Sequence, residues 1–204
     1  VTSPRSTDRL RARDRAAFVA AAICAAASVL IWLMWVMPIV RSIDEAEPAM
    51  IGRTISVELA AGETAGIWAS GRSAMLGTME CGVTGPDGSD LDQRGGSALS
   101  WNDVLWWMTP RPGFEQRSQF TAVDAGPHLV RCDDSLDTYD GDYLVAGDSF
   151  GVGDIGLGRT GACDFGIGEI LVFCAVLCPP LAVLIPLVIL LRRLVTRRTA
   201  RSRR

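Results

Sequence analysis

The chain has 204 residues, 49% of them hydrophobic, and its 20 basic and 23 acidic side chains leave a formal net charge of −3. Much of that hydrophobicity gathers in two uncharged runs near the ends, at 16–40 and 170–191. About 125 residues remain between them, which bounds the folded part to one small domain with its own core.

Residues 1–15 form an arginine-rich tail in which Arg5, Arg9, Arg11, Arg13 and Arg15 stand against Asp8 and Asp14, a balance of +3. Residues 16–40, AAFVAAAICAAASVLIWLMWVMPIV, follow. A secretory signal has an apolar part of only about 7–15 residues and a small-residue cleavage site close behind it. This run is longer and lacks that site, so an uncleaved transmembrane helix is expected. Trp32 and Trp35 suit the headgroup layer at its outer end, and Pro38 marks its end or a kink. Residues 41–50 read as a polar stalk.

From residue 51 to 150 the pattern is that of strands. Ile55, Val57 and Leu59 alternate with Ser56 and Glu58, a two-residue period. Further strands are expected in GIWAS, SAMLGTMECGVTG, QRSQFTAV, HLVRC and DYLVAG, with a Pro-Asp-Gly turn at 86–88. Short strands between Gly, Asp and Pro turns predict an all-β domain, an immunoglobulin-like antiparallel sandwich. Residues 151–169 read as a glycine-rich return linker. The second run, 170–191, is long enough to cross a hydrocarbon layer about 30 Å thick. Its Pro179, Pro180 and Pro186 are tolerable in lipid if neighbouring groups satisfy the carbonyls they free. Residues 192–204 form a second tail with seven arginines and no acid.

Charge sets the expected topology. The tails carry +3 and +7, whereas residues 41–169 hold 8 arginines and 21 acids, or −13. Basic residues close to a span stay on the cytoplasmic side, so both termini are expected inside the plasma membrane and the β domain outside. Arginine clusters beside a span are topology determinants that also attract anionic lipid. Nucleic acid is not an expected partner; the bilayer is, with other envelope proteins as further candidates.

The cysteines divide by compartment. Cys24, Cys174 and Cys178 lie in the apolar runs and act as small hydrophobes. Cys81 and Cys132 sit mid-strand on the side where disulfides persist; their spacing suits a bridge between the two sheets of a sandwich. Cys163 is left over, free or linked to another chain.

The segments CGVTGPDG, QFTAVDAGPHLVRC and YLVAG resemble a group of uncharacterised actinobacterial two-span membrane proteins with an outward-facing β domain. The resemblance covers about residues 51–150 and implies fold and location; it brings no activity. His128 stands where that group's pattern has tyrosine, whose hydroxyl in such sandwiches ties to nearby backbone.

No catalytic or cofactor-binding constellation emerges, and no cofactor is expected. His128, the only histidine, shares a face with Val130 and Cys132, which favours a structural role. GDSFG at 147–151 resembles an esterase box, but no histidine follows it. Two acidic loops, Asp87, Asp90, Asp92 and Asp133, Asp134, Asp137, Asp140, Asp142, have the oxygen-rich look of calcium loops without matching EF-hand spacing, and solvated turns are preferred. SWNDVLWWMTPRPGF offers either core filling or an interaction patch of Trp101, Trp106 and Trp107. The expectation is therefore a non-enzymatic membrane protein with an accessory or scaffolding role. The alternative is a cation or ligand sensor acting through a partner.

Overall fold

The computed structural model describes residues 4–95, 101–150, 154–155 and 165–201. The chain divides into two compact units, one of the residues up to Met34 with those from Phe173 onward, the other running from Trp35 to Val172.

The first unit is helical. It contains α1 (Pro4–Ile31) and most of the terminal helix, which begins at Ile167 and ends at Arg201. Two stretches, Ala12–Glu45 running on from α1 and Ile170–Val195 in the terminal helix, are long and apolar enough to cross a membrane, and only 6% of the most apolar window of each is buried. A helix at the centre of a soluble domain would be covered; here Val19, Ile23, Leu30 and Leu33 on one helix, and Val183, Leu184, Val188 and Leu191 on the other, face outward. The two run antiparallel. Near one end Arg193 donates to Asp14 at 2.6 Å and its guanidinium lies 6.0 Å from the Phe18 ring centre; just past the end of α1, Trp32 Nε1 donates to the Ala175 carbonyl at 3.1 Å.

That last bond accommodates one of the three prolines inside this helix. Proline lacks the N–H that would bond four residues back, so Pro179 leaves the Ala175 carbonyl without its helical donor. The Trp32 indole takes that place. Trp32 also begins a π-helical turn, Trp32–Val36, the wider winding that often marks a functional position in a helix.

The second unit is an antiparallel β domain entered through α2 (Met37–Glu45). Its strands are β1 (Ala49–Met50), β2 (Thr54–Leu59), β3 (Thr64–Gly71), β4 (Met79–Thr84), β5 (Gln93–Gly95), β6 (Glu115–Thr121), β7 (Gly126–Asp134) and β8 (Gly141–Gly147). They form a five-stranded sheet in the order β1-β8-β3-β6-β5 and a three-stranded sheet β2-β7-β4; β9 (Asp154–Ile155) and β10 (Phe165–Gly166) make a separate ribbon. The two larger sheets share one core. Ala65, Ile67, Phe120, Tyr143 and Val145 come from the first, and Leu59, Val83, Val130 and Cys132 from the second. Ile55 and Val57 pack against this cluster beside Leu59, as their alternation predicts.

Strand order departs from the immunoglobulin pattern. That pattern places the first of seven strands on the sheet of the second, and the last beside the sixth. Counting the seven from β2 to β8, the first pairs with the sixth and the last with the second, so β2 lies on β7 and β8 on β3. Alternation dictates which face of a strand is buried, not which neighbour it joins.

Three local expectations also change. Residues 41–45 are not stalk but the last turn of α2, which docks on the β domain: Ile39 and Ile43 are buried, and Ser42 Oγ accepts the Gly147 N–H at 2.8 Å. Ser73–Leu76 is not strand but part of α3 (Arg72–Leu76). Ala, Met and Leu favour helix, and Gly77 closes it in the left-handed conformation with φ 70°. In the return linker, 154–155 and 165–166 pair as β9 and β10.

Candidate interaction site at the tryptophan turn

Cys81 and Cys132 face one another on β4 and β7, with sulphurs 2.06 Å and Cα atoms 4.0 Å apart. The bridge therefore joins neighbouring strands of one sheet and not the two sheets. The tie between sheets is made by Tyr143 on β8. Its hydroxyl lies 2.5 Å from the Arg53 carbonyl, just before β2, and 2.9 Å from that of Val130 on β7. His128 is fully buried, its ring near that of Phe120. Because Gly126 O can only accept, the 2.9 Å contact makes Nδ1 the protonated nitrogen; Nε2 has no partner. Cys24, Cys174 and Cys178 carry free thiols, and Cys163 lies outside the described residues.

The acidic loops bind their own chain. Asp87 accepts the Ser89 hydroxyl at 2.7 Å and its backbone N–H at 2.9 Å, and these bonds hold its carboxyl below the usual range. Asp134 accepts the hydroxyls of Thr78 and Ser73 and the backbone N–H groups of Thr138 and Tyr139. The Thr78 bond, then those backbone donors, hold its carboxyl far below the aspartate norm. Asp133 is lowered by its hydrogen bond to Arg131. Among the described residues no three His, Cys, Asp or Glu side chains converge as metal ligands would. Within GDSFG, the Ser149 hydroxyl lies buried, 2.7 Å from Gln116 Oε1, to which it donates.

The segment that presents something to the outside is the tryptophan turn. It consists of α4 (Trp101–Leu105) and a tight helical turn, Trp106–Met108. The i, i+4 spacing of Trp101 and Leu105 puts both on one helical face, and both are buried. Trp101 is 1% exposed and belongs to the core, not to a surface patch. It sits between two other indoles, 5.6 Å from Trp35 with tilted planes and 6.3 Å from Trp68 edge to face. Its Nε1 donates to Thr109 Oγ1 at 3.2 Å, and Trp68 Nε1 donates to the Gly147 carbonyl at 3.1 Å.

The tighter turn that follows carries the next two indoles outward, leaving Trp106 69% and Trp107 55% exposed. Three residues farther on, Arg111 fixes the segment to the end of α2, donating from Nε to Ile43 O at 3.0 Å and from Nη2 to Asp44 O at 3.1 Å. These are among the last carbonyls of the helix, which lack intrahelical donors. Trp35, Trp68 and Arg111 thus support the site. Trp35 was visible in sequence only as a span-end indole, and nothing in the spacing marked Trp68 or Arg111.

Fold and site together define a protein of two long apolar helices and one antiparallel β domain, with an internal disulfide and a pair of exposed indoles on a segment anchored by Trp101 and Arg111. No protein-family model matches the chain, and no curated protein matches it either.

Proposed function

We propose that this chain is a non-enzymatic, two-span protein of the plasma membrane with an accessory or scaffolding role, its termini cytoplasmic and its β domain on the oxidising side. The observation that carries the reading is the pair of antiparallel helices whose apolar side chains remain almost wholly uncovered. Water would drive such a surface to be buried, whereas a hydrocarbon layer covers it at no cost. Supporting features are the opposite charge of the tails and the middle and a Cys81–Cys132 bridge of the kind that survives outside the cytoplasm. Polar side chains that resemble chemistry in sequence, Ser149, Asp87 and Asp134, are engaged in holding loops together.

The experiment has two parts. Proteinase added to intact spheroplasts is expected to leave both arginine tails uncut, while permeabilisation exposes them; tails cut from outside would overturn the topology. Mild-detergent purification from native membranes is expected to retain a stoichiometric companion protein. Recovery of the chain alone from chemically cross-linked membranes would overturn the accessory role.

A further inference from the structure

The β-domain unit begins at Trp35 and ends at Val172. Trp35 lies near the outer end of the apolar run 16–40 that the proposed function places in the bilayer, so side chains packed on Trp35 stand close, along the chain, to where it leaves the membrane. What surrounds Trp35 is the tryptophan turn. Trp101 contacts Trp35 at 5.6 Å, and Arg111 grips the carbonyls of Ile43 and Asp44. From this doubly fixed base Trp106 and Trp107 project outward.

We infer that Trp106 and Trp107 seat in the headgroup layer of the outer leaflet, as a third membrane contact that holds the β domain against the bilayer. Indoles favour that layer because one edge is apolar and the other carries an N–H donor. Charge agrees. In a middle region carrying −13, residues 101–114 hold one acid, Asp103, and one arginine, Arg111, so the segment is neutral and meets anionic lipid with little repulsion. Rigidity agrees as well: an indole pair on a segment fixed at both sides loses little freedom on insertion. Attachment to Trp35 through Trp101, at the outer end of the apolar run, favours lipid as the occupant. This inference rests on the two-span reading and adds a surface to it.

The test uses the full chain reconstituted in vesicles of equimolar phosphatidylcholine and phosphatidylglycerol, with lipid brominated close to the headgroup as the quencher. Replacing both indoles (Trp106→Phe with Trp107→Phe) is expected to remove roughly a third or more of the bromolipid quenching, the indole being the group that settles at that depth. In the parent protein, aqueous acrylamide should barely reach the pair. If the pair is quenched by acrylamide and its removal leaves bromolipid quenching unchanged, the inference is overturned. A separate Trp32→Phe variant distinguishes the two levels. If Trp32→Phe alone changes bromolipid quenching, the helices cross the bilayer and only the third contact fails; if neither variant does, the two-span reading itself fails.

Discussion

Trp32 donates its indole hydrogen to the carbonyl of Ala175 at 3.1 Å, the same carbonyl that Pro179 deprives of a helical partner. One of the gaps that prolines leave in this helix is thereby filled by a side chain from its neighbour. Replacing Trp32 with phenylalanine keeps most of the apolar contact and orphans the carbonyl. We expect a loss of about 1–2 kcal/mol in helix–helix stability, the scale of such bonds in apolar surroundings. The Pro179→Ala background supplies a backbone N–H of its own, so there the same substitution should cost markedly less. Equal costs in both backgrounds, measured by unfolding the full chain in bicelles, would show that the bond does not serve the proline.

The three indoles of the sequence-predicted patch should behave in opposite ways. Trp101 fills the space between Trp35 and Trp68, so Trp101→Ala is expected to cost about 3–5 kcal/mol, as for other buried aromatic truncations. Trp106→Ser and Trp107→Ser remove surface side chains and should each stay within about 0.5 kcal/mol. Urea titration of the full chain in detergent micelles, followed by near-ultraviolet circular dichroism, reads both.

The contrast shows what was legible beforehand. Apolar runs and two-residue alternation are local signals and led to the long helices and to β2, whereas Trp101 and Leu105 share a face in a helix and in a strand alike and left their segment open. Pairing is not local. Nothing in the alternation of Thr54–Leu59 says that it lies on β7, and the mid-strand position of Cys81 fits an inter-sheet bridge as well as the cross-strand one observed. The docking of α2 was hidden for a related reason. Arg41 and Asp44 make that turn look like a stalk, while the residues that bury it, Ile39 and Ile43, belong to a helical face that only the helix itself reveals. Arg111 had no signal at all, because its role depends on carbonyls 67 and 68 residues away.

Reduction of Cys81–Cys132 should weaken the β domain without changing its strand order, since the two residues remain register partners on β4 and β7. With a sequence separation of 51, the chain-entropy account gives a loss on the order of 4 kcal/mol. The expected result is a clear fall in the urea midpoint on adding a reductant. An unchanged midpoint would mean that the bridge adds nothing the sheet lacks.

Gly71 is expected to tolerate no side chain. Its φ is 91°, and a Cβ there would stand 2.8 Å from Gly141 Cα and 3.0 Å from the Asp140 carbonyl, both backbone atoms that cannot swing aside. Gly77 also has a positive φ but faces open space. Gly77→Ala should therefore cost about 1 kcal/mol for conformation alone, and Gly71→Ala several times that, through collision added to strain. Comparable losses, measured by the same urea titration, would show that the β3–β8 approach is looser than its geometry.

Acid should act on the β domain through the Asp134 loop. Asp134 joins Thr78 and Ser73 to the turn at Thr138 and Tyr139, and these donors favour its ionised form. Its carboxyl in the folded protein lies below the ordinary value of 3.8, so the folded state holds that proton less readily than the unfolded chain. The stabilisation is thus complete above the unfolded value and fades as pH falls through the folded one. Melting temperature of the full chain should hold from neutrality down to the ordinary aspartate range and fall below it, as the unfolded chain takes up the proton that the folded loop refuses. The isosteric Asp134→Asn loses the charge and one acceptor, so it should melt several degrees lower at neutral pH and lose less on acidification. If the variant and the parent fall in parallel below the aspartate range, acid unfolding is governed by other carboxylates and the loop is not its trigger.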